Sequence, residues 1–140
     1  MTREVADALR RFYRELEIEI DRLGWTCRAC GDCCRFAEFG HGLFCSEIEA
    51  DYLADGEAVP DVIPDDVCVF LQDGRCARRD RRALGCRTYF CESTGAVEPA
   101  ALSEQWVRRL KDLHERLGIA WRYTPLSEHL RRRKQREDKG

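Results

Sequence analysis

The chain of 140 residues is long enough for one domain with one modest hydrophobic core, which we expect to span residues 1–140. Its 24 basic and 26 acidic side chains nearly cancel, which argues against strong global attraction to nucleic acid or to an anionic membrane. No apolar run approaches the roughly 18 residues of a membrane-spanning helix, and the N-terminal stretch lacks the apolar segment of a secretory signal, so we expect a cytoplasmic protein.

Nine cysteines are the unusual feature of the composition. In a reducing compartment, a dense set of regularly spaced cysteines favours metal binding or redox activity over a disulfide framework. An odd number of cysteines also cannot pair completely within one chain. Disulfides are the alternative if the chain is exported by an unrecognised route.

The first predicted element is an amphipathic helix over residues 2–23. Its apolar side chains recur at alternating steps of three and four, which places them on one face, and charged residues fill the other face. Gly24 follows directly and is typical of a helix C-terminus. We interpret the apolar face as ordinary core packing, and it consists of Val5, Leu9, Phe12, Leu16, Ile20 and Leu23.

The segment C-R-A-C-G-D-C-C, residues 27–34, follows this helix and carries a thiol at every third position. Such a run can coil around one centre, and C-x-x-C-x-x-C is typical of a cubane iron–sulfur site whose last ligand comes from elsewhere in the chain. Zinc more often takes single C-x-x-C steps from two hairpins, so the spacing favours iron and leaves zinc open. Cys33 and Cys34 are neighbours, and one of them is expected to serve a second centre or another role.

Two further residues near this run have side chains that can ligate metals, but we interpret them differently. His41 lies between two glycines and is expected to be a loop residue. Cys45 directly precedes Ser46 and Glu49, whose spacing forms a capping box that opens a helix. At the start of a helix we expect Cys45 to be a small apolar filler and not a ligand.

A β-hairpin is predicted in the middle of the chain, after a surface loop over residues 56–66. Residues that favour β-structure flank Asp73 and Gly74, and this dipeptide is a strong signal for a hairpin turn. Cys68 and Cys76 would then lie on paired strands, close together in space.

The segment G-C-R-T-Y-F-C adds Cys86 and Cys91 after a short helix or turn over residues 78–84. Several arginines lie within a few residues of a cysteine, and a cation beside a thiol lowers the thiol pKa and favours the metal-bound thiolate. Arg87 and Tyr89 are expected to contact the metal ligands and orient them without binding the metal, and Arg87 is the stronger candidate for such a structural role.

The last third of the chain is predicted to be helical. Ser103 is a candidate N-cap for a helix that ends at Gly118, and a final helix carries the basic run over residues 131–136. We interpret this run as a solvated, fraying helix end and not as a nucleic-acid site, because the global charge is balanced. His114 and His129 lie on charged helices and are expected at the surface.

Together these elements predict an α-rich α+β domain. Its helical flanks, residues 1–24 and 100–136, are expected to pack together beside a cysteine-rich metal centre over about residues 25–91 that contains the short hairpin. We find no internal repeat, phosphate-binding glycine loop or serine–histidine–aspartate order, so the readily recognised enzyme classes have no support in the sequence.

The cysteine segments also resemble a known family. C-R-A-C-G-D-C-C, C-V-F-L-Q-D-G-R-C and G-C-R-T-Y-F-C are similar to the YkgJ-type CxxCxxCC proteins, which are described as zinc- or iron-chelating. The likeness spans about residues 25–91, leaves Cys45 as an extra cysteine, and departs where relatives place Arg-Pro and this chain has Arg82-Ala83. The resemblance implies that the metal ligands are Cys27, Cys30, Cys33, Cys34, Cys68, Cys76, Cys86 and Cys91.

These observations lead to three functional hypotheses. The first is an iron–sulfur protein, with a [4Fe–4S] cluster as the candidate cofactor, that transfers electrons to an unidentified protein partner or senses oxidant. The second is a zinc-stabilised structural or binding module with closed four-coordinate sites. The third is an accessory or catalytic module of a methyltransfer system, because a bacterial flagellin lysine methylase is similar in its cysteine pattern within a longer chain.

Overall fold

The computed structural model describes residues 1–24, 43–88 and 99–139. Within these ranges the chain is rich in helix, with two small antiparallel sheets, which confirms the predicted α-rich α+β class. None of the helices in these three ranges is both long and apolar enough to cross a bilayer. The elements are α1 (Arg3–Leu23), β1 (Phe44–Ser46), α2 (Glu47–Ala54), β2 (Leu71–Gln72), β3 (Arg75–Cys76), α3 (Leu84–Thr88), α4 (Pro99–Leu117), β4 (Tyr123–Pro125) and α5 (Leu126–Lys139).

Helix α1 begins and ends as its sequence predicts. The hydroxyl of Thr2 accepts a hydrogen bond from the backbone N–H of Val5 at 3.2 Å, which satisfies one of the unpaired donors of the first turn. At the other end, Gly24 has φ = 75°, a left-handed conformation that suits glycine, and its N–H returns to the carbonyls of the last turn.

Helix α4 packs against α1 and forms the larger of two cores. Phe12 of α1 meets Trp106 of α4 edge to face, with ring centroids 5.4 Å apart. This packing confirms that the helical flanks come together, although α4 begins at Pro99, so the prediction of an N-cap at Ser103 is wrong. We call this cluster the helical core; its buried members are Leu9, Phe12, Tyr13, Leu16, Ile20, Ile48, Tyr52, Leu84, Leu102, Trp106, Leu110 and Leu113.

A second core forms where α2 and α5 pack together under the sheet of β1 and β4. The two strands pair antiparallel with Cys45 opposite Thr124, and the N–H of Leu126 extends the pairing to the carbonyl of Leu43 at 2.9 Å. We call this cluster the cysteine-lined core; its buried members are Leu43, Cys45, Ala50, Leu53, Ala54, Val59, Cys68, Ala83, Cys86, Leu126 and Leu130.

The predicted hairpin is present as β2 and β3. Asp73 and Gly74 both have positive φ, at 51° and 78°, as a tight two-residue turn requires. This turn fixes the register, so Cys76 pairs with Leu71, and the prediction that Cys68 lies on a strand paired with that of Cys76 is wrong. Cys68 lies before β2, and its carbonyl accepts from the N–H of Leu71 at 3.0 Å in a turn.

The basic run of residues 131–136 belongs to a helix that continues to Lys139. Several of its side chains are exposed, as predicted for a solvated helix, but the run also fastens neighbouring segments. Arg131 pairs with Asp65 at 2.8 Å, and Lys134 pairs with Asp61 at 3.1 Å, so the loop before the hairpin is tied to α5.

Both described histidines are buried, so their expected surface positions are wrong. His114 is covered because the chain turns back after α4: its ring meets Trp121 edge to face at 5.0 Å, and its Nδ1 lies 3.2 Å from the carbonyl oxygen of Ala120. His129 lies beneath the β1–β4 sheet, where its Nε2 is 2.8 Å from the carbonyl oxygen of Cys45.

Candidate metal centre

Three of the eight predicted ligands lie in the described ranges, namely Cys68, Cys76 and Cys86. Cys68 and Cys86 are buried members of the cysteine-lined core, and Cys76 is partly buried against it. The fold therefore brings three cysteines from a turn, a strand and a helix to one apolar cluster. The predicted ligands Cys27, Cys30, Cys33, Cys34 and Cys91 lie outside the described residues, as do Tyr89 and His41.

Helix α3 carries Cys86 and is held close to β1. A side chain at Gly85 would place its Cβ 3.1 Å from the Leu43 side chain, so the glycine allows an approach that a larger residue would obstruct. Ala83 and Leu84, which precede Gly85, are completely buried. Close backbone packing thus fixes the position of the helix on which Cys86 lies.

The arginines around the hairpin bind the end of α2. Arg78 donates from Nε to the carbonyl of Leu53 at 2.9 Å and from its second terminal nitrogen to that of Asp55 at 2.6 Å, while Arg81 donates to the carbonyl of Tyr52 at 3.0 Å. Cations are favourable at a helix C-terminus, where carbonyl groups lack helical partners. These contacts fasten the segment between Cys76 and Cys86 to α2.

Arg87, next to Cys86, links α3 to the preceding turn and to α1. Its guanidinium donates to the carbonyls of Arg82 at 2.7 Å and Asp80 at 3.1 Å, and to the carboxylate of Glu17 at 3.1 Å. It also lies over the ring of Tyr13, 4.1 Å from the centroid. Because this side chain is almost wholly buried, its contacts restrain the orientation of α3.

Glu49 is a buried acid whose importance the sequence did not indicate. Its Oε1 accepts from the N–H of Ser46 at 3.0 Å, which confirms the predicted return contact of the capping box. Its Oε2 accepts from the hydroxyl of Tyr13 at 2.8 Å and from the N–H of Leu84 at 2.6 Å. Burial raises the pKa of Glu49, although these three donors oppose the shift. The carboxyl group thereby joins α1, the start of α2 and the start of α3.

Cys45 lies in the same core as Cys68 and Cys86 and is completely buried. Burial raises the pKa of this thiol well above its ordinary value, and the nearby Glu49, Cys86 and Cys68 raise it further. A buried free thiol packs as a small apolar group. The exclusion of Cys45 from the metal ligands stays a prediction.

The described donors do not complete a metal site. Across residues 1–24, 43–88 and 99–139, no three histidine, cysteine or acidic side chains are grouped so that they could hold a metal ion. The donor chemistry nevertheless suits zinc or an iron–sulfur cluster, because both are bound by thiolates. A metal site that used any of Cys68, Cys76 and Cys86 would need further ligands from residues outside the described ranges.

Comparison with known proteins assigns no family to the chain. No protein-family model, curated protein or solved structure matched it. The resemblance of its cysteine spacing to the YkgJ-type proteins therefore stays a prediction.

Proposed function

We propose that this protein binds metal through its cysteines as an iron–sulfur protein that transfers electrons or senses oxidant. The proposed ligands are the eight cysteines identified in the sequence. The observation that carries the proposal is that Cys68, Cys76 and Cys86 lie in or against one apolar core although a hairpin and a turn separate them in the chain. The three-step spacing of residues 27–34 favours iron over zinc.

An iron–sulfur cluster would supply one-electron chemistry, and the chain's own residues would set its surroundings. Burial of Cys68 and Cys86 excludes water, which influences the reduction potential of a cluster. Arg87 and Glu49 would position Cys86 through their bonds to α3 and the turn before it. Neither residue is proposed as a ligand.

Metal analysis after anaerobic purification tests the proposal. We expect a brown protein that contains iron and acid-labile sulfide. Cys86→Ala should lose most of the metal, whereas Cys45→Ala, an equally buried control in the same core, should retain it. A colourless protein that remains colourless after reconstitution with iron and sulfide would contradict the iron–sulfur assignment.

A zinc-stabilised module is the second candidate. The near-complete burial of Cys68 and Cys86 favours it, because structural zinc sites are closed and use four protein ligands. Stoichiometric zinc, retained by the wild-type protein and lost in Cys86→Ala, would select this alternative. Equal zinc content in the wild-type protein and in Cys86→Ala would contradict any role of Cys86 in metal binding.

We further propose a cytoplasmic location and a protein partner, since reducing conditions keep thiols available to metals. Nucleic acid is a poor candidate partner, because three of the five cations in the basic run over residues 131–136 are paired with aspartates of this chain. Arg131, Arg133 and Lys134 each contact an aspartate, at 2.8, 3.4 and 3.1 Å. Neutralised cations contribute less to the phosphate contacts on which such binding depends.

A further inference from the structure

A cleft of about 310 Å³ lies between α2 and α5, and none of its lining residues is a proposed metal ligand. Glu47 and Asp51, one turn apart on α2, form one wall. His129, Arg132 and Arg136 repeat at steps of three and four on α5 and form the other wall. The volume falls at the lower end of the range of about 300–1,000 Å³ for small-molecule sites.

Three arginines line this cleft, and none of them makes a hydrogen bond to another side chain or carbonyl of the described residues. Arg122 and Arg136 each approach the carboxylate of Glu47 at 3.8 Å, and Arg132 approaches that of Glu128 at 4.0 Å. These separations are longer than the roughly 2.7–3.2 Å of a hydrogen bond from nitrogen to oxygen. These long, exposed ion pairs are weak, so the N–H groups of the arginines remain able to bond an anion.

His129, in the α5 wall of the cleft, is bonded to the β1–β4 sheet. Its Nε2 lies 2.8 Å from the carbonyl oxygen of Cys45 and 3.1 Å from the hydroxyl oxygen of Thr124. A carbonyl oxygen only accepts, so Nε2 carries a hydrogen, and the neutral ring has its acceptor at Nδ1. The bonds to the β1–β4 sheet hold the ring in a set orientation.

We propose that this cleft binds the phosphate group of a small phosphorylated molecule. Its three arginines and two acids give the lining a formal charge of +1. Three guanidinium groups from two parts of the chain suit the several oxygens of a tetrahedral phosphate better than the two coplanar oxygens of a carboxylate. Because the cleft is larger than a phosphate ion, an organic group bearing hydroxyls can occupy the remainder beside Gln135 and Asp51.

Glu47 limits the affinity for this ligand. Its two carboxylate oxygens face Arg122 and Arg136 separately, so the carboxylate lies between the two cations that phosphate would bind. An incoming phosphate must compete with it. Removing the charge of Glu47 while keeping its shape should therefore strengthen anion binding, although a purely structural ion-pair network would only be weakened by the same change.

Titration of the purified full-length protein with inorganic phosphate at constant ionic strength tests the proposal. We expect saturable heat or shifts of the α5 amide resonances, about tenfold weaker affinity in Arg132→Gln and Arg136→Gln, and about tenfold tighter affinity in Glu47→Gln. Arg108→Gln is the matched control, because Arg108 is an exposed arginine of α4 that pairs with Glu104 at 3.2 Å, outside the cleft.

Three results would overturn this assignment. The first is the absence of saturable phosphate binding, and the second is equal weakening by Arg108→Gln and Arg136→Gln. The third is sulfate binding as tight as phosphate binding, which would indicate general anion attraction. Metal content is measured for each variant, so failure of this site is distinguishable from failure of the cysteine centre.

Discussion

The two cores formed by the described residues differ in the size of their side chains. The helical core contains large side chains such as Trp106, Phe12 and Leu16, which bury much apolar area. The cysteine-lined core contains small ones, among them Ala50, Ala83 and Cys86. Burial of small groups stabilises less, so the second core depends more on specific polar contacts.

Those polar contacts run along the edge of the cysteine-lined core. Arg78 binds two carbonyls at the end of α2, Arg87 binds two carbonyls before α3, and Glu49 accepts three hydrogen bonds. Such bonds are directional and hold a geometry that apolar packing alone leaves loose. The comparison indicates that one region supplies stability by burial, whereas the other maintains the arrangement of its thiols.

Removal of the proposed metal should produce the largest difference between the two cores. Structural zinc contributes about 10–16 kcal/mol of apparent folding free energy in zinc-finger peptides, so a cysteine core that depends on metal should open without it. We expect faster proteolysis and hydrogen exchange across residues 43–88 after anaerobic chelation, while α1 and α4 keep most of their helical signal. Unchanged proteolysis of residues 43–88 would show that this core holds without metal.

Truncation of the helical core should show the opposite pattern. Trp106→Ala removes a fully buried indole and its contact with Phe12, so we expect the free energy of unfolding to fall by about 3–5 kcal/mol. Metal content per folded molecule should stay unchanged. Ile18→Ala, on an exposed position of α1, is the control and should change stability by less than about 1 kcal/mol. If Trp106→Ala and Ile18→Ala lowered the free energy of unfolding equally, the stabilising role of the helical core would be contradicted.

The elements predictable from sequence are those fixed by local chemistry. The apolar period and Gly24 define α1, the Asp73-Gly74 turn defines the hairpin, and Ser46 with Glu49 defines the start of α2. Each of these signals lies within one short segment of the chain. The local structure that it favours therefore does not depend on how distant segments pack.

The failures concern residues whose partners lie outside their own helix. The capping-box position of Glu49 is predictable, but its bonds to Tyr13 and Leu84 span 36 and 35 residues, and no local pattern indicates them. His114 is covered by the segment that turns back after α4, and His129 contacts the carbonyl of Cys45, which lies 84 residues away. The site is predictable only as a set of thiols, because tertiary packing decides which thiols meet.

Glu49 bonds Tyr13 and Leu84 of the helical core and Ser46 at the start of α2, so its replacement should destabilise the junction of α1, α2 and α3. In Glu49→Gln the amide nitrogen faces at least one N–H group that donates to the carboxylate in the wild type. We therefore expect the free energy of unfolding to fall by about 1–3 kcal/mol. Chemical denaturation measures the loss. Glu104→Gln is an exposed control on α4. If Glu49→Gln lowered the free energy of unfolding no more than Glu104→Gln, the linking role of Glu49 would be contradicted.

The stability difference between the wild type and Glu49→Gln should depend on pH. The folded-state pKa of Glu49 is raised from the ordinary value of 4.5, so its protonated form is favoured by folding. The contribution is fully present below pH 4.5 and is lost as the pH rises through the folded-state pKa. The stability advantage of wild type over Glu49→Gln should therefore shrink as the pH rises from 4.5. An advantage that grows with pH would contradict this reasoning.

His114 should give the smallest effect, with the opposite dependence on pH. Burial lowers the pKa of His114 from 6.5, so folding favours the neutral ring. Its contribution is present above pH 6.5 and is lost as the pH falls through the folded-state pKa, with a slope of at most about 1.4 kcal/mol per pH unit. His114→Asn, whose amide nitrogen takes the place of Nδ1 as a donor for the Ala120 carbonyl, should remove that slope from denaturation curves between pH 6.5 and pH 5. Because His114 lies on α4, its protonation should weaken the helical core while rising pH weakens the Glu49 link. If the Glu49 and His114 variants changed stability in the same direction over the same pH range, the opposite signs assigned to these two groups would be wrong.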